Sequence, residues 1–291
     1  MKIALTTLLT VLLFNLAGAQ GRFDTVDIKT THVAGSVYML EGAGGNIGVS
    51  AGADGVLIID SQFGPLTPKI EAAIAKLGKG KPRFLLNTHW HGDHTGGNEN
   101  FGKYATIIAH ENVRTRLAAK SAKVVKAGLP VITFQQGVTV HFNGDTIKMV
   151  KLPPGHTDGD CIIFFKQANV IHMGDHFFAG RFPYIDLGSG GSVRGYLTNV
   201  ENTFANLPVT SKPGVKIIPG HGTLGKKDDL EKFRDVIRAS VDFVERAIRK
   251  GQSKEDIKAA AFWGQYKDWG TGFINTGRWV DIVYNELSQQ K

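Results

Sequence analysis

A chain of 291 residues, 42% hydrophobic and 21% charged, has the makeup of an ordinary globular protein with a sizeable core. Its single cysteine, Cys161, excludes an internal disulfide, so stability must come from packing or bound metal. The formal charge of +8 is spread along the chain, which argues against a nucleic-acid surface and for anionic small molecules or an anionic envelope.

In chain order, Lys2 precedes an apolar stretch over 3–16, and Ala17-Gly18-Ala19 forms an A-x-A cleavage site. Residues 1–19 therefore read as a signal peptide. The apolar run is shorter than the roughly 20 residues of a membrane-spanning helix, and no cysteine follows it to carry a lipid. Residues 20–291 are expected to be one exported domain, periplasmic or secreted, with no membrane span.

Apolar runs bounded by glycine-rich turns predict strands at 37–40, 46–50 and 55–60. The first two enclose a glycine-rich tip at 41–45, expected to be mobile and to close over a substrate. Residues 68–77 carry Ile70, Ala73, Ile74 and Leu77 on one helical face. A short strand at 83–86 leads into Asn87-Thr88-His89-Trp90-His91-Gly92-Asp93-His94, and 92–97 reads as an irregular turn. A strand at 105–109 and a helix at 111–127 follow. Strands are predicted at 138–141, 146–152, 161–165, 170–173 and 215–218, and helices at 193–207, 227–250, 253–262 and near 275–287. Strands then helices, twice over, suggest two similar α/β halves with their sheets face to face.

The stretch 89–94 carries the chemistry. His89 and His91 are two apart, so on extended backbone both point to one side. Asp93 and His94 are adjacent, and a turn at Gly92 could bring both toward a neighbouring centre. Imidazoles with a carboxylate suit Zn²⁺. Three more candidates follow strands, each directly after a glycine: His156 in Gly155-His156-Thr157, Asp175 in Gly174-Asp175, and His221 in Pro219-Gly220-His221-Gly222. Glycine lets the backbone turn tightly at a crowded centre.

These four motifs in this order resemble the metallo-β-lactamase superfamily. The resemblance implies a four-layer αββα sandwich, two mixed sheets face to face with helices outside and a site at one sheet edge. It implies two Zn²⁺ ions: His89, His91 and His156 on the first, Asp93, His94 and His221 on the second, and Asp175 bridging. Asp60 matches the family's aspartate behind the ligands, where a carboxylate fixes a ligand imidazole. The implied reaction uses a metal-bound hydroxide, oriented by Asp93, which also takes its proton, to open acyl bonds of small anionic substrates.

One lactamase subclass has cysteine where Asp175 stands and a basic residue three positions on, where this chain has Phe178. Another has serine in place of Asp175. Aspartate there is more like the superfamily's thioesterases, lactonases and phosphodiesterases. The leading expectation is thus a secreted hydrolase of β-lactams or lactones. The alternatives are a glyoxalase II-like thioesterase, a mononuclear iron oxygenase of the same fold, and a non-catalytic metal-binding protein. Arg181 is the nearest arginine after Asp175 and a candidate carboxylate anchor.

Overall fold

The computed structural model describes residue 21 and residues 23–78, 80–120, 126–205 and 214–290. The expected signal segment, 1–19, lies outside the described residues, as do 121–125 and 206–213 in and after two expected helices. Among the described residues, no helix is long and apolar enough to cross a membrane.

The first sheet has seven strands in sequence order: β1 (Lys29–Ala34), β2 (Val37–Glu41), β3 (Ile47–Gly52), β4 (Gly55–Ile59), β5 (Pro82–Leu86), β6 (Thr106–His110) and β7 (Ile132–Phe134). Its first four pair antiparallel and the rest parallel. The second sheet contains β8 (Gly137–Phe142), β9 (Asp145–Lys151), β10 (Cys161–Phe165), β11 (Val170–His172), β12 (Lys216–Ile218) and β13 (Gly225–Lys226), in the order β13-β12-β11-β10-β9-β8. Only β11 and β12 pair parallel in it. The helices are α1 (Thr67–Ala75), α2 (Gly92–Thr95), α3 (Asn98–Phe101), α4 (Glu111–Lys120), α5 (Val193–Ala205), α6 (Lys227–Arg249), α7 (Lys254–Ala259) and α8 (Thr276–Leu287).

Strand side chains alternate between faces, so one strand can serve two cores. Leu57 and Ile59 of β4 meet Ile163 and Phe165 of β10 in the layer between the sheets. Their neighbours Val56 and Ile58 face outward onto Ile70 and Ile74 of α1. Ile162, Ile171 and Ile217 of the second sheet pack on Val200, Phe233 and Trp279 of the helices beyond it. Fully buried Trp279 also keeps its indole N–H satisfied by Ser240 Oγ at 2.9 Å. The result is the expected αββα sandwich.

The structure departs from the sequence reading in several details, among them the strands β7 and β13, which were not expected. Strand β1 carries no apolar alternation and is largely exposed, yet it pairs with β2 along its length. The stretch read as an irregular turn forms the helical turn α2, with Gly96 N–H bonded to Gly92 O at 2.9 Å. The helix expected over 253–262 stops at Ala259 because Ala260 turns extended, and a 3-10 segment Ala261–Thr271 follows. There Trp263 packs into the core and donates to Ile257 O at 2.7 Å, taking up a carbonyl at the helix end.

Candidate metal centre

The C-terminal ends of β4, β5, β9, β11 and β12 lie at one edge of the sandwich and deliver every residue singled out above. His89, His91, His156 and Asp175 form one group, and Asp93, His94 and His221 a second. In the first group His91 Nδ1 lies 3.1 Å from His89 Nε2 and 2.8 Å from His156 Nε2. In the second, His221 Nε2 lies 3.4 Å from His94 Nε2 and 3.3 Å from Asp93 Oδ2. Asp175 stands between them. Its Oδ2 is 3.3 Å from His156 Nε2, and its Oδ1 is 3.0 Å from His94 Nε2.

The outer edges of the imidazoles show which nitrogens face inward. The Thr88 hydroxyl gives its hydrogen to Asp60 Oδ2 at 2.7 Å. The 3.0 Å contact between Thr88 Oγ1 and His89 Nδ1 must then be donated by histidine. His94 Nδ1 donates to Asp60 Oδ2 at 2.7 Å, His156 Nδ1 to Tyr184 O at 2.7 Å, and His91 Nε2 to Asp186 Oδ2 at 3.0 Å. Each of these four rings is left with a lone pair aimed into the cluster.

Lone pairs do not hydrogen-bond one another, so these short nitrogen–nitrogen spacings need a cation or a proton between them. Two nitrogens at 2.0–2.1 Å on a tetrahedral Zn²⁺ would stand roughly 3.3 Å apart, close to the spacings found. Asp175 Oδ1 is buried and has no properly directed hydrogen bond, although His94 Nε2 is near. The donor set therefore fits two cations sharing one carboxylate.

Electrostatics give the same reading. Burial pushes His89 well down and His156 to about 4, which keeps both rings neutral and ready to ligate. Burial would also lower His221, but the Asp175 and Asp93 carboxylates outweigh it and raise the ring to about 9. His94 is raised by the same carboxylates and Asp60 against its burial. A cluster that draws protons this way also draws metal cations, and the two compete for it.

Local backbone explains the placements. Asp60 has φ +65°, a conformation that aspartate tolerates better than most residues. It aims one carboxylate at Thr88 N–H, the Thr88 hydroxyl and His94. Gly174, at φ +49°, lets the chain leave β11 and present Asp175, whose carbonyl accepts from Tyr196 Oη at 2.9 Å.

The tip at 42–45 is tied down at its Gly45 end. Gly45 N–H bonds Asp93 O at 3.1 Å, and Gln62 Nε2 donates to Gly45 O at 2.8 Å. Asn46 Nδ2 reaches Pro219 O at 3.0 Å and Gly222 O at 2.8 Å. At Gly44 and Gly45 the missing side chain permits close packing against Asp93 and His94.

Phe178 is buried and its ring stacks on His221, with centroids 5.0 Å apart. Position 178 thus backs a ligand and presents no charge. His176, beside Asp175, points away from the cluster. It accepts from Asn199 Nδ2 at 3.2 Å, stacks on Tyr196, and burial lowers it to about 3. Cys161 is buried, and burial raises its thiol, leaving an inert core residue.

The sequence reading missed Asp186. It sits in a loop far from any motif, and only its contact with His91 reveals it. The His91 hydrogen bond holds its carboxyl below the usual carboxylate range, and Ser189 Oγ donates to it at 2.5 Å. Asp186→Ala should weaken metal binding by roughly 10–100-fold, the usual cost of losing a carboxylate behind a ligand imidazole. Competition titration with a chromogenic chelator measures this. Unchanged affinity would mean that the cluster alone orients His91.

Comparison with known proteins agrees with this geometry. Residues 40–221 match the family model described as the metallo-beta-lactamase superfamily. The lactamase-like protein aptB of Emericella nidulans is 24% identical over 71% of this chain and 57% of its own length. A hydroxyacylglutathione hydrolase of a Synechococcus species is 31% identical over 33% of this chain and 35% of its own. The chain therefore spans little more than half of the first relative and about a third of the second. Among solved structures, the DIM-1 metallo-beta-lactamase superposes with a TM-score of 0.62 at 16% identity, covering 74% of this chain and 99% of that one. With the sandwich, the ligand order along the chain and a match over residues 40–221 all in agreement, this protein belongs to the metallo-beta-lactamase superfamily.

Proposed function

We propose that the protein is a di-zinc hydrolase that opens acyl bonds of small anionic substrates, β-lactams or lactones foremost. The observation that carries this is Asp175, buried between two groups of inward-facing ligands with an oxygen turned to each. His89, His91 and His156 would hold one Zn²⁺, Asp93, His94 and His221 the other, with Asp175 bridging. Bound there, the pair of cations supplies Lewis acidity and lowers the pKa of water toward about 7.

The chain's own groups then do the positioning. Asp93 is partly open to the cleft and stays ionised: burial opposes this, but His94 and His221 hold it at about 2. It is placed to orient the attacking water and accept its proton. Tyr184 and Phe178 flank the histidines and exclude bulk solvent from one side. The Lys2, 3–16 and Ala17-Gly18-Ala19 pattern supports export to the periplasm or beyond.

A thioesterase reading is the second choice. It is favoured by the partial likeness to hydroxyacylglutathione hydrolases and by aspartate rather than cysteine or serine at 175. A panel of a cephalosporin, a carbapenem, an acyl-homoserine lactone and a glutathione thioester separates these readings. With no basic residue at 178, comparable or better rates are expected on the lactone or thioester. A kcat/KM on the order of 10⁶ M⁻¹s⁻¹ on either β-lactam, in the upper range for enzymes, would show a dedicated lactamase. No turnover of any of the four overturns the hydrolase reading, and stoichiometric iron with oxygen consumption on a persulfide would establish the oxygenase.

A further inference from the structure

We propose that Arg181 and the segment 272–278 form a substrate-selecting wall over the ligand cluster. The wall takes a small carboxylate-bearing acyl compound whose acyl arm is aromatic or bulky and apolar. This deepens the reading above, since it treats the cluster as the reacting centre.

A cleft opens directly on His91, Asp93, Asp175 and His221, and Arg181, Tyr184, Phe273 and Ile274 stand across from them. Phe273 is 73% exposed, in a chain whose other large apolar side chains are mostly buried. Among the described residues the other exposed large apolar side chains, Val131 and Ile132, lie at β7 and not at the cleft. A phenyl ring held in water beside a reactive cluster offers apolar area for a ligand to cover.

The ring is held in place. The Arg278 guanidinium lies 4.3 Å over its face, and Arg278 Nη1 donates to Phe273 O at 2.8 Å. Asn275 caps α8 by accepting from Arg278 N–H at 2.9 Å, which fixes the arginine's backbone. Ile274, next in the chain, is buried. Phe182 N–H bonds Trp269 O at 3.0 Å and the Phe182 ring stacks on Trp279, centroids 5.6 Å apart. These contacts tie the residues on either side of the segment to the loop that carries Phe178 and Tyr184. The wall is therefore preorganised, and a ligand need not order it.

Arg181 supplies the charge. It is exposed, its side chain runs beside Gly272, and no ion pair or side-chain hydrogen bond engages its guanidinium among the described residues. Of the other ionic groups nearby, Asp186 holds His91, Arg278 holds Phe273, and Asp93 and Asp175 stand within the ligand groups. An unpaired guanidinium beside the cleft matches a carboxylate, which it can bind through two parallel hydrogen bonds. The segment 272–278 lies beyond residue 221, where the family match ends, so the apolar half of the wall comes from outside the shared core, while Arg181 lies within it.

Calorimetric titration of the full metal-loaded chain with N-phenylacetylglycine, N-acetylglycine and N-phenylacetylglycinamide tests this. The first should bind about tenfold tighter than either of the others, roughly 1.4 kcal/mol. Phe273→Ala should remove its advantage over N-acetylglycine, and Phe273→Leu should keep most of it. Arg181→Gln should bring the acid down to the affinity of the amide, with Arg181→Lys partly restoring the difference. Both residues are exposed, so the variants should fold, and thermal unfolding checks that they do. Equal affinities for the three probes, or ratios that survive Phe273→Ala and Arg181→Gln, overturn the wall. The readout needs no turnover. Flat ratios in an active hydrolase refute the wall alone, and the expected ratios in an inactive protein refute the hydrolase reading alone.

Discussion

Asp175→Asn should reduce bound zinc from close to two ions per chain to fewer than one while leaving the metal-free protein folded. The carboxylate has an oxygen toward each ligand group, 3.3 Å from His156 Nε2 and 3.0 Å from His94 Nε2. An amide removes the negative charge that both groups use. It also puts an NH₂ against imidazole lone pairs, where it can hydrogen-bond to them and occupy the space of a cation. The fold should survive because the main-chain contacts of this turn remain: Tyr196 Oη still reaches the residue 175 carbonyl, and Gly220 N–H still bonds Gly174 O at 2.7 Å. In the metal-free protein the change also removes the counter-charge of the raised His94 and His221, so some stability is lost there. Metal analysis after dialysis against a weak chelator, with thermal unfolding of the metal-free proteins, reads both effects. A variant that retains both ions at wild-type affinity would show that Asp175 is not the bridge.

The ligand residues were legible in the sequence because a metal site needs particular side chains, and these stand at strand ends next to glycines. The core strands were legible for a related reason. Strands such as β4 and β10 serve a core on each face, so they read as continuous apolar runs. What stayed hidden depends on contacts between distant segments. Asp186 lies 95 positions from the His91 it orients, and nothing local marks it. Strand β1 is held by pairing with β2 and not by burial, so its sequence shows no alternation. The break after α7 follows from Trp263 turning into the core, a choice made by helices α6 and α8 around it. The glycine-rich tip was legible as glycine, but the close approach that Gly45 makes to His94 was not. Composition alone does not separate a glycine needed for motion from one needed for close approach.

Gly45 is the sharpest case of the second kind, and Gly45→Ala should disable the second metal position. A Cβ built on Gly45 would stand 2.1 Å from His94 Cε1 and 2.3 Å from His94 Nε2. One of the two must move. The loop cannot easily retreat, since Gly45 is bonded through its N–H to Asp93 O and through its carbonyl to Gln62 Nε2. The next residue, Asn46, is tied to Pro219 O and Gly222 O on the loop that carries His221. The His94 ring must therefore swing, which breaks its 2.7 Å hydrogen bond to Asp60 and turns Nε2 away from Asp93 and His221. The three atoms nearest that Cβ all belong to His94, whereas His89, His91 and His156 belong to the other ligand group, so the first position should persist. The expected protein binds about one zinc instead of two, loses on the order of 100-fold or more in kcat/KM, and is destabilised by about 1–3 kcal/mol as an overpacked site. Metal stoichiometry, kinetics on the best substrate of the panel and denaturant unfolding measure these in turn. A Gly45→Ala protein that binds two ions with wild-type affinity would show that the loop yields instead of the ring, and would restore mobility as the reason for glycine at this tip.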